Sequence, residues 1–421
     1  MNVESALNKL YSLHNFGIKL GLENISNFLE LIGNPQKQLK TFHIAGSNGK
    51  GSTSSFIASI LMEFGFKVGL YTSPHFVKFN ERIVIDGKQI PDEYIANFIK
   101  DYSDYIDEKK LTFFEVTTAI AFKYFFEQKV DFAVIETGLG GRLDATNVLS
   151  PLAVVITSIS LEHTNILGNT ITDIAGEKAA IIKKHSKVFT GKLPSDAEKV
   201  VEKKCNETNS NLYKIEDYIN VKNELVELYT EEVEIDNWDI PLKGEYQKFN
   251  AALAGLVVSK TLLKNDFRPI LKGIHNVIKN TGIQGRFEYY SMSPDIIFDS
   301  AHNPEGIENF LIEFQKDQTK YQKKILLFGV MKDKSIKEML IKLRDHFDEI
   351  HITEINYERS CKIAELQKIA DEIKLKVFPE QDSIKLFNSF KKENRENCLV
   401  VLGSMYLLGE IKSSIIKNKI A

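Results

Sequence analysis

An α/β fold built on a mostly parallel sheet is what this 421-residue sequence predicts, and three observations carry the prediction. Short apolar, β-rich runs alternate with helical patterns along most of the chain. One such run opens directly into a glycine-rich turn at residues 46–51. The alternation pauses in a turn-rich stretch at 279–285 and then starts again. The first indicates strands covered by helices, the second a turn that can hold phosphate, and the third a second α/β domain.

Residues 41–45 read as a strand and 53–64 as a buried helix, with Gly46, Ser47, Asn48, Gly49, Lys50, Gly51 and Ser52 between them. Glycines let backbone N–H groups point at phosphate oxygens, and the helix start adds the positive end of its dipole. Lys50 would bridge the outer phosphates and the Ser52 hydroxyl would ligate Mg²⁺, the roles these residue types take in a P-loop. The spacing departs from the usual pattern, since only Ser47 and Asn48 separate Gly46 from Gly49-Lys50, and Gly51 precedes Ser52. A short Gly/Ser/Asn turn is also a common connecting loop. The strand before it and the helix after it favour phosphate.

Further strands are expected at 67–71, 132–136 and 153–159. Ligands collect at the carboxyl ends of such strands. Glu136 ends one and is followed by a glycine loop, so it reads either as a Mg²⁺ ligand or as a solvated strand-end carboxylate. Ser160-Leu-Glu-His163 ends the next, where a lone histidine is more often structural than a ligand. Lys178, in the helical run 174–182, reads by its neighbours as a snorkelling surface lysine. Residues 223–240 are acidic and alternating, which predicts a small antiparallel element, and 244–263 returns to a helix.

Beyond the turn-rich stretch, strands are expected at 295–299, 324–330, 349–353 and 398–402. Asp299-Ser-Ala-His302-Asn-Pro304 closes the first of these, as a nucleotide or substrate contact or equally as a capped turn. The lysine-rich C-terminal end reads as a solvated helix face.

Composition sets limits. A net charge of −3 gives no electrostatic reason to expect nucleic acid or an anionic membrane as partner. Three widely spaced cysteines fit a reducing compartment and form no zinc or redox motif. Polar residues interrupt the N-terminus, and no apolar run approaches ~18 residues, so neither a signal peptide nor a membrane span is expected and the cytoplasm is the default.

Read together, the motifs Ala45-Gly-Ser-Asn-Gly-Lys-Gly-Ser52, Thr72-Ser-Pro-His75, Glu136-Thr-Gly-Leu-Gly-Gly-Arg-Leu-Asp144, Glu177-Lys178, Gly285-Arg-Phe-Glu288, Phe298-Asp-Ser-Ala-His302 and Leu402-Gly-Ser-Met-Tyr406 resemble one family. It is folylpolyglutamate synthase and the bifunctional dihydrofolate synthase, within the Mur ligase superfamily of ATP-dependent amide ligases. The resemblance covers nearly the whole chain, and the joint order of the motifs is specific. It implies a P-loop NTPase-like N-terminal domain over 1–284 and a smaller Rossmann-like domain over 285–421.

It also implies roles. Ser47, Asn48, Gly49, Lys50 and Gly51 would hold the ATP phosphates, and Ser52, Ser73, Glu136 and His163 two Mg²⁺ ions. Lys178 matches a lysine that the family carbamylates, turning a cation into an anion beside the metals, which displaces the snorkelling reading. Asn250, Arg286 and Asp299 match contacts to adenosine and phosphate, and His302 faces phosphate and the incoming glutamate. Pro74, His75 and Arg82 belong to a folate-binding loop; Thr112, Phe113, Phe114, Glu115, Leu143, Asp144 and Ala145 occupy dihydropteroate-contact positions. The implied reaction is acyl activation, in which an acceptor carboxylate takes the ATP γ-phosphate and the L-glutamate amine then displaces it. Domain closure would complete the site and exclude water. A monomer acting on small molecules is expected.

The chain departs from the family at Ser47, Glu162 and Gln284, where Thr, Asp and Pro are usual. None removes a phosphate or metal ligand. The Arg142-Leu-Asp144-Ala145 run favours the bifunctional form over a synthase restricted to folates. A cell-wall precursor ligase of the superfamily would lack the 73–82 loop, and a bare P-loop ATPase would have no use for Asp299 and His302.

Overall fold

The computed structural model describes residues 2–13, 21–222, 225–231, 233–235, 238–264, 266–392 and 395–420. Backbone packing divides the chain into one unit of Met1–Pro74, Phe79–Pro241 and Lys248–Gly282, and another of His75–Lys78, Leu242–Gln247 and Ile283–Ala421.

The first unit is organised by an eight-stranded sheet. In chain order its strands are β1 (Thr41–Ala45), β2 (Val68–Tyr71), β3 (Ile83–Ile85), β4 (Lys88–Gln89), β5 (Phe132–Glu136), β6 (Ala153–Ile156), β7 (Lys187–Thr190) and β8 (Asn211–Lys214). Their spatial order is β4-β3-β2-β5-β1-β6-β7-β8. The six from β2 to β8 run parallel, while β3 and β4 add an antiparallel edge. The central strands β1, β2, β5 and β6 are buried on both faces, hence their unbroken apolar runs.

Register places Ile44 beside Glu136 and Ala45 beside Ile156, so the carboxyl ends of β5, β1 and β6 form one row. The strand order reverses at β1, where such sheets leave a crevice. One core cluster joins Phe28, Tyr71, Phe98, Ile120, Phe122 and Ile135; another joins Val154, Ile156, Ile174 and Val188. The predicted antiparallel element is a three-stranded sheet of β9 (Ile219–Lys222), β10 (Leu225–Tyr229) and β11 (Glu234–Ile235), although residues 223, 224, 232, 236 and 237 lie outside the described ones.

The second unit is built on a six-stranded sheet in the order β12-β13-β17-β14-β15-β16. These are β12 (Glu288–Met292), β13 (Asp295–Phe298), β14 (Lys323–Phe328), β15 (Glu349–Thr353), β16 (Phe378–Glu380) and β17 (Asn397–Leu402). Only β12 is antiparallel. Helices cover both faces, with Ile297, Phe310, Leu326 and Leu340 in one core and Ile296, Phe298, Leu399 and Leu407 in the other.

The lysine-rich C-terminal helix, Met405–Ile420, is not simply solvated. Lys412 is buried and donates to Gln284 Oε1 at 2.7 Å and to both Glu288 carboxylate oxygens at 2.9 and 2.7 Å. The strand expected over 153–159 stops at Ile156, because Thr157 and Ser158 turn their side chains to the neighbouring loop. All three cysteines are free and buried. Among the described residues no helix is long and apolar enough to cross a membrane.

Candidate functional site

β1 delivers the glycine turn, and the helix Lys50–Glu63 leaves it with Gly49 as N-cap at φ 84°. That left-handed backbone favours glycine, and a Cβ there would lie 2.7 Å from Asn250 Oδ1. A Cβ on Gly46 would lie 1.9 Å from Thr157 Oγ1. The turn is thus pressed against its neighbours.

The end of β6 braces it. Ser47 N donates to Ser158 O at 2.9 Å, Asn48 N to Ser158 Oγ at 2.9 Å, and Thr157 Oγ1 to Asn48 O at 2.6 Å. Ser47 Oγ accepts from Ser160 N at 3.0 Å. The sequence contained the signal for this brace, the run Thr157-Ser-Ile-Ser160 at a strand end, but it pointed only to His163.

Two ammonium groups converge on the turn. Lys50 Nζ donates to Gly46 O at 2.7 Å and Ser47 O at 3.0 Å. Lys178 Nζ donates to Gly46 O at 3.0 Å and pairs with Glu162 Oε1 at 2.8 Å. Lys178 is 1% exposed, which corrects the snorkelling reading. Burial lowers its pKa despite the Glu162 charge, and the Lys50 charge acts in the same direction as burial. Burial would raise the Glu162 carboxyl, yet Lys178 and Lys50 hold it well below the usual carboxylate range. Glu162 is a site residue that the sequence reading passed over as a conservative change.

Around this turn, Ser52 is buried in the first helical turn, and Glu136, also buried, accepts from Ser73 N at 3.0 Å through Oε2. His163 sits in the left-handed region at φ 46°, directly after Glu162. The Ser73–Pro74 peptide is cis. Among the described residues no group of three or more His, Cys, Asp and Glu side chains converges. One carboxylate, two hydroxyls and one imidazole, from Glu136, Ser52, Ser73 and His163, suit ions that complete their shells with phosphate oxygens better than a closed protein cage.

The glycine loop after Glu136 is held by Asp144. Its Oδ2 accepts from Gly138 N at 2.9 Å and Leu139 N at 2.8 Å, and its Oδ1 from Thr146 N at 3.0 Å and Thr146 Oγ1 at 2.5 Å. The Asp144 carboxylate thus holds its own loop. Thr112 and Glu115 form a reciprocal capping box on the helix Phe113–Glu127, with Thr112 N donating to Glu115 Oε2 at 2.7 Å. Between them, Phe113 is buried beneath Arg82, whose guanidinium lies 5.1 Å from the ring centre. Phe114 is half-buried against the loop, since a Cβ on Gly138 would lie 2.4 Å from its ring. Leu143 is half-buried and Ala145 buried.

In the second unit, Asp299 ends β13 and accepts from Phe287 N at 2.7 Å and Ala301 N at 2.8 Å. Burial raises its pKa against those bonds. Arg286 donates to Gly285 O at 3.0 Å and to Ser300 Oγ, and His302 Nδ1 donates to Ser300 O at 2.9 Å. Arg286, Asp299 and His302 are thereby gathered on two short turns. Tyr246, which the sequence reading did not single out, belongs here too: burial first, then the Asp299 charge, pushes its phenol up. His75 also falls in this unit, while Pro74, Arg82 and Asn250 fall in the first.

Comparison with known proteins follows the same division. Residues 44–258 match the Mur ligase middle domain and 285–405 the Mur ligase, glutamate ligase domain. The dihydrofolate synthase/folylpolyglutamate synthase of Bacillus subtilis is 36% identical over 417 residues, covering 95% of this chain and 96% of that protein. The Escherichia coli protein of the same name is 32% identical over 366 residues, 86% and 84% of the two chains. The crystal structure of Thermotoga maritima folylpolyglutamate synthase superposes with a TM-score of 0.83 at 32% identity, covering 99% of this chain and 98% of that one. E. coli FolC in complex with DHPP and ADP superposes at 0.87 with 28% identity, covering 100% and 99%.

Proposed function

The chain belongs to the Mur ligase family, and from that membership we infer that it is an ATP-dependent ligase adding L-glutamate to dihydropteroate and to the glutamate tail of folates. The observation that carries this reading is the buried pairing of Lys178 with Glu162 against the carbonyl of Gly46. A phosphate turn alone serves many ATPases; a buried lysine at its back is matched by a family that joins carboxylates to amines.

The chain's residues divide the work. Ser47 and Asn48, their N–H groups bonded to Ser158, hold the turn around the ATP phosphates, Gly49 and Gly51 offer backbone N–H groups to them, and Lys50 offers its charge to the phosphoryl group that the acceptor carboxylate attacks. Asn250 contributes to adenosine binding. Ser52, Ser73, Glu136 and His163 would hold two divalent ions, which supply charge neutralisation at the phosphates. Lys178 is the lysine we expect to be carbamylated; its burial favours the neutral amine that carbamate formation needs.

The acceptor contacts are narrowed to Pro74, His75, Arg82, Phe113, Phe114, Leu143 and Ala145, with Thr112, Glu115 and Asp144 as supports. In the second unit, Arg286 and Asp299 serve the nucleotide and His302 the incoming glutamate, which attacks the acyl phosphate and releases phosphate. We assign the ATP-binding domain to 1–284 and the ligase domain to 285–421, acting as a monomer.

The test is phosphate release by the purified chain with ATP, Mg²⁺ and L-glutamate, comparing dihydropteroate, tetrahydrofolate and no acceptor, with product masses. Adducts from both acceptors are expected. Adducts from tetrahydrofolate alone would leave a folate-only synthase, and release indifferent to acceptor would leave a bare ATPase.

A further inference from the structure

A buried histidine that the mechanism does not use lies two residues before the strand's end. His43, in the middle of β1, is fully buried, and its Nε2 is 2.8 Å from Thr146 Oγ1, which is 2.5 Å from Asp144 Oδ1. Asp144 Oδ2 in turn takes the N–H groups of Gly138 and Leu139. The other ring nitrogen, Nδ1, is buried without a hydrogen-bond partner.

Counting protons along this line fixes its direction. A hydroxyl has one proton to give. Burial raises the Asp144 carboxyl, but N–H donors on both of its oxygens, two on Oδ2 and one on Oδ1, leave each oxygen an acceptor, so the Thr146 proton goes to Asp144. Thr146 Oγ1 must then accept from the imidazole, whose proton sits on Nε2 and leaves Nδ1 bare. The orphaned Nδ1 is what this assignment requires; with the proton on Nδ1 instead, a buried donor would be unmet. Burial keeps the ring neutral.

We propose that His43 is a positioning residue: as the Nε2–H tautomer it orients Thr146, Thr146 orients Asp144, and Asp144 fixes the Gly138–Leu139 turn that follows Glu136. The relay ties the strand that carries the phosphate turn to the loop beside the proposed acceptor contacts. Its kinetic consequence rests on the ligase reading above; its hydrogen-bond direction does not.

The experiment has two arms. In the full chain labelled with ¹⁵N-histidine, His43 is assigned by comparison with His43→Gln, and a pyrrole-type Nε2 with a pyridine-type Nδ1 is expected at neutral pH. The reverse tautomer overturns the proposal, whatever the kinetics of the variants. In the kinetic arm, His43→Leu and Thr146→Val are each expected to lose about 10–100-fold in kcat/KM for the pterin acceptor, the usual scale for a supporting hydrogen bond. The double variant should lose no more than either alone, and His43→Gln, which keeps a donor, should recover most of the loss. Losses that multiply, or no recovery by glutamine, overturn the proposal. A wild-type chain that makes no glutamate adduct sinks the ligase reading alone, because amide exchange at Gly138 and Leu139 in Thr146→Val still decides the relay: faster exchange supports it and unchanged exchange overturns it.

Discussion

Lys50 and Lys178 share a single acceptor: both ammonium groups donate to the carbonyl oxygen of Gly46, at 2.7 and 3.0 Å. Two cations on one carbonyl, with Glu162 as the carboxylate paired to Lys178, make an electropositive floor beneath a turn whose glycines already favour anions. Burial first, and the Lys50 charge with it, lowers the Lys178 pKa against the pull of Glu162.

Lys178→Arg keeps a cation but cannot form the carbamate. Glutamate ligation is expected to fall by about 10²-fold or more, the scale of losing a charged group that acts at a phosphoryl site. Intact mass of the native chain in bicarbonate should show the added mass of one CO₂, absent from the arginine variant. An unmodified native chain that ligates at full rate would exclude the modification.

Lys50→Ala removes the one side chain of the turn that can carry charge to the outer phosphates. Ligation to either acceptor should drop about 10²–10³-fold. Product masses with dihydropteroate and tetrahydrofolate check it, and retained ligation would take the phosphate role from Lys50.

Asp144→Ala leaves Gly138 N, Leu139 N and the Thr146 hydroxyl without their shared acceptor. A loss of about 1–3 kcal/mol in stability is expected, the cost of stranding buried polar groups. Because the loop and not one acceptor is disturbed, use of dihydropteroate and of folate should fall together. A loss confined to dihydropteroate would restore the direct contact that the sequence suggested.

His43 supplies a pH signature. Burial, aided by the Lys183 charge, lowers its pKa from 6.5 to about 3, so below pH 6.5 the unfolded chain binds a proton that the folded chain refuses. The stability tied to the neutral ring is complete above pH 6.5 and is lost as pH falls toward 3, by at most about 4–5 kcal/mol. Denaturant titrations from pH 7 to pH 4 should show a shallower decline for His43→Gln than for the native chain. Parallel declines would show that His43 does not contribute.

Local patterns determined the strands at 41–45 and 132–136 to the residue, because strands buried on both faces read as mostly apolar runs, and that at 349–353 by its apolar alternation. They also placed the glycine turn between its strand and its helix. The short antiparallel strands at 83–85 and 88–89 and the partly exposed strand at 211–214 were not legible, because their pairing partners define them more than their own composition does. Only the tertiary structure decided which backbone groups the polar side chains satisfy. The local pattern around Lys178 does not show that its ammonium reaches the Gly46 carbonyl, nor do the runs around Asp144 and Glu115 show which backbone N–H groups their carboxylates satisfy. A sequence names the donors and acceptors, but each can be spent only once, and where each is spent depends on neighbours more than a hundred residues away, as between His43 and Thr146.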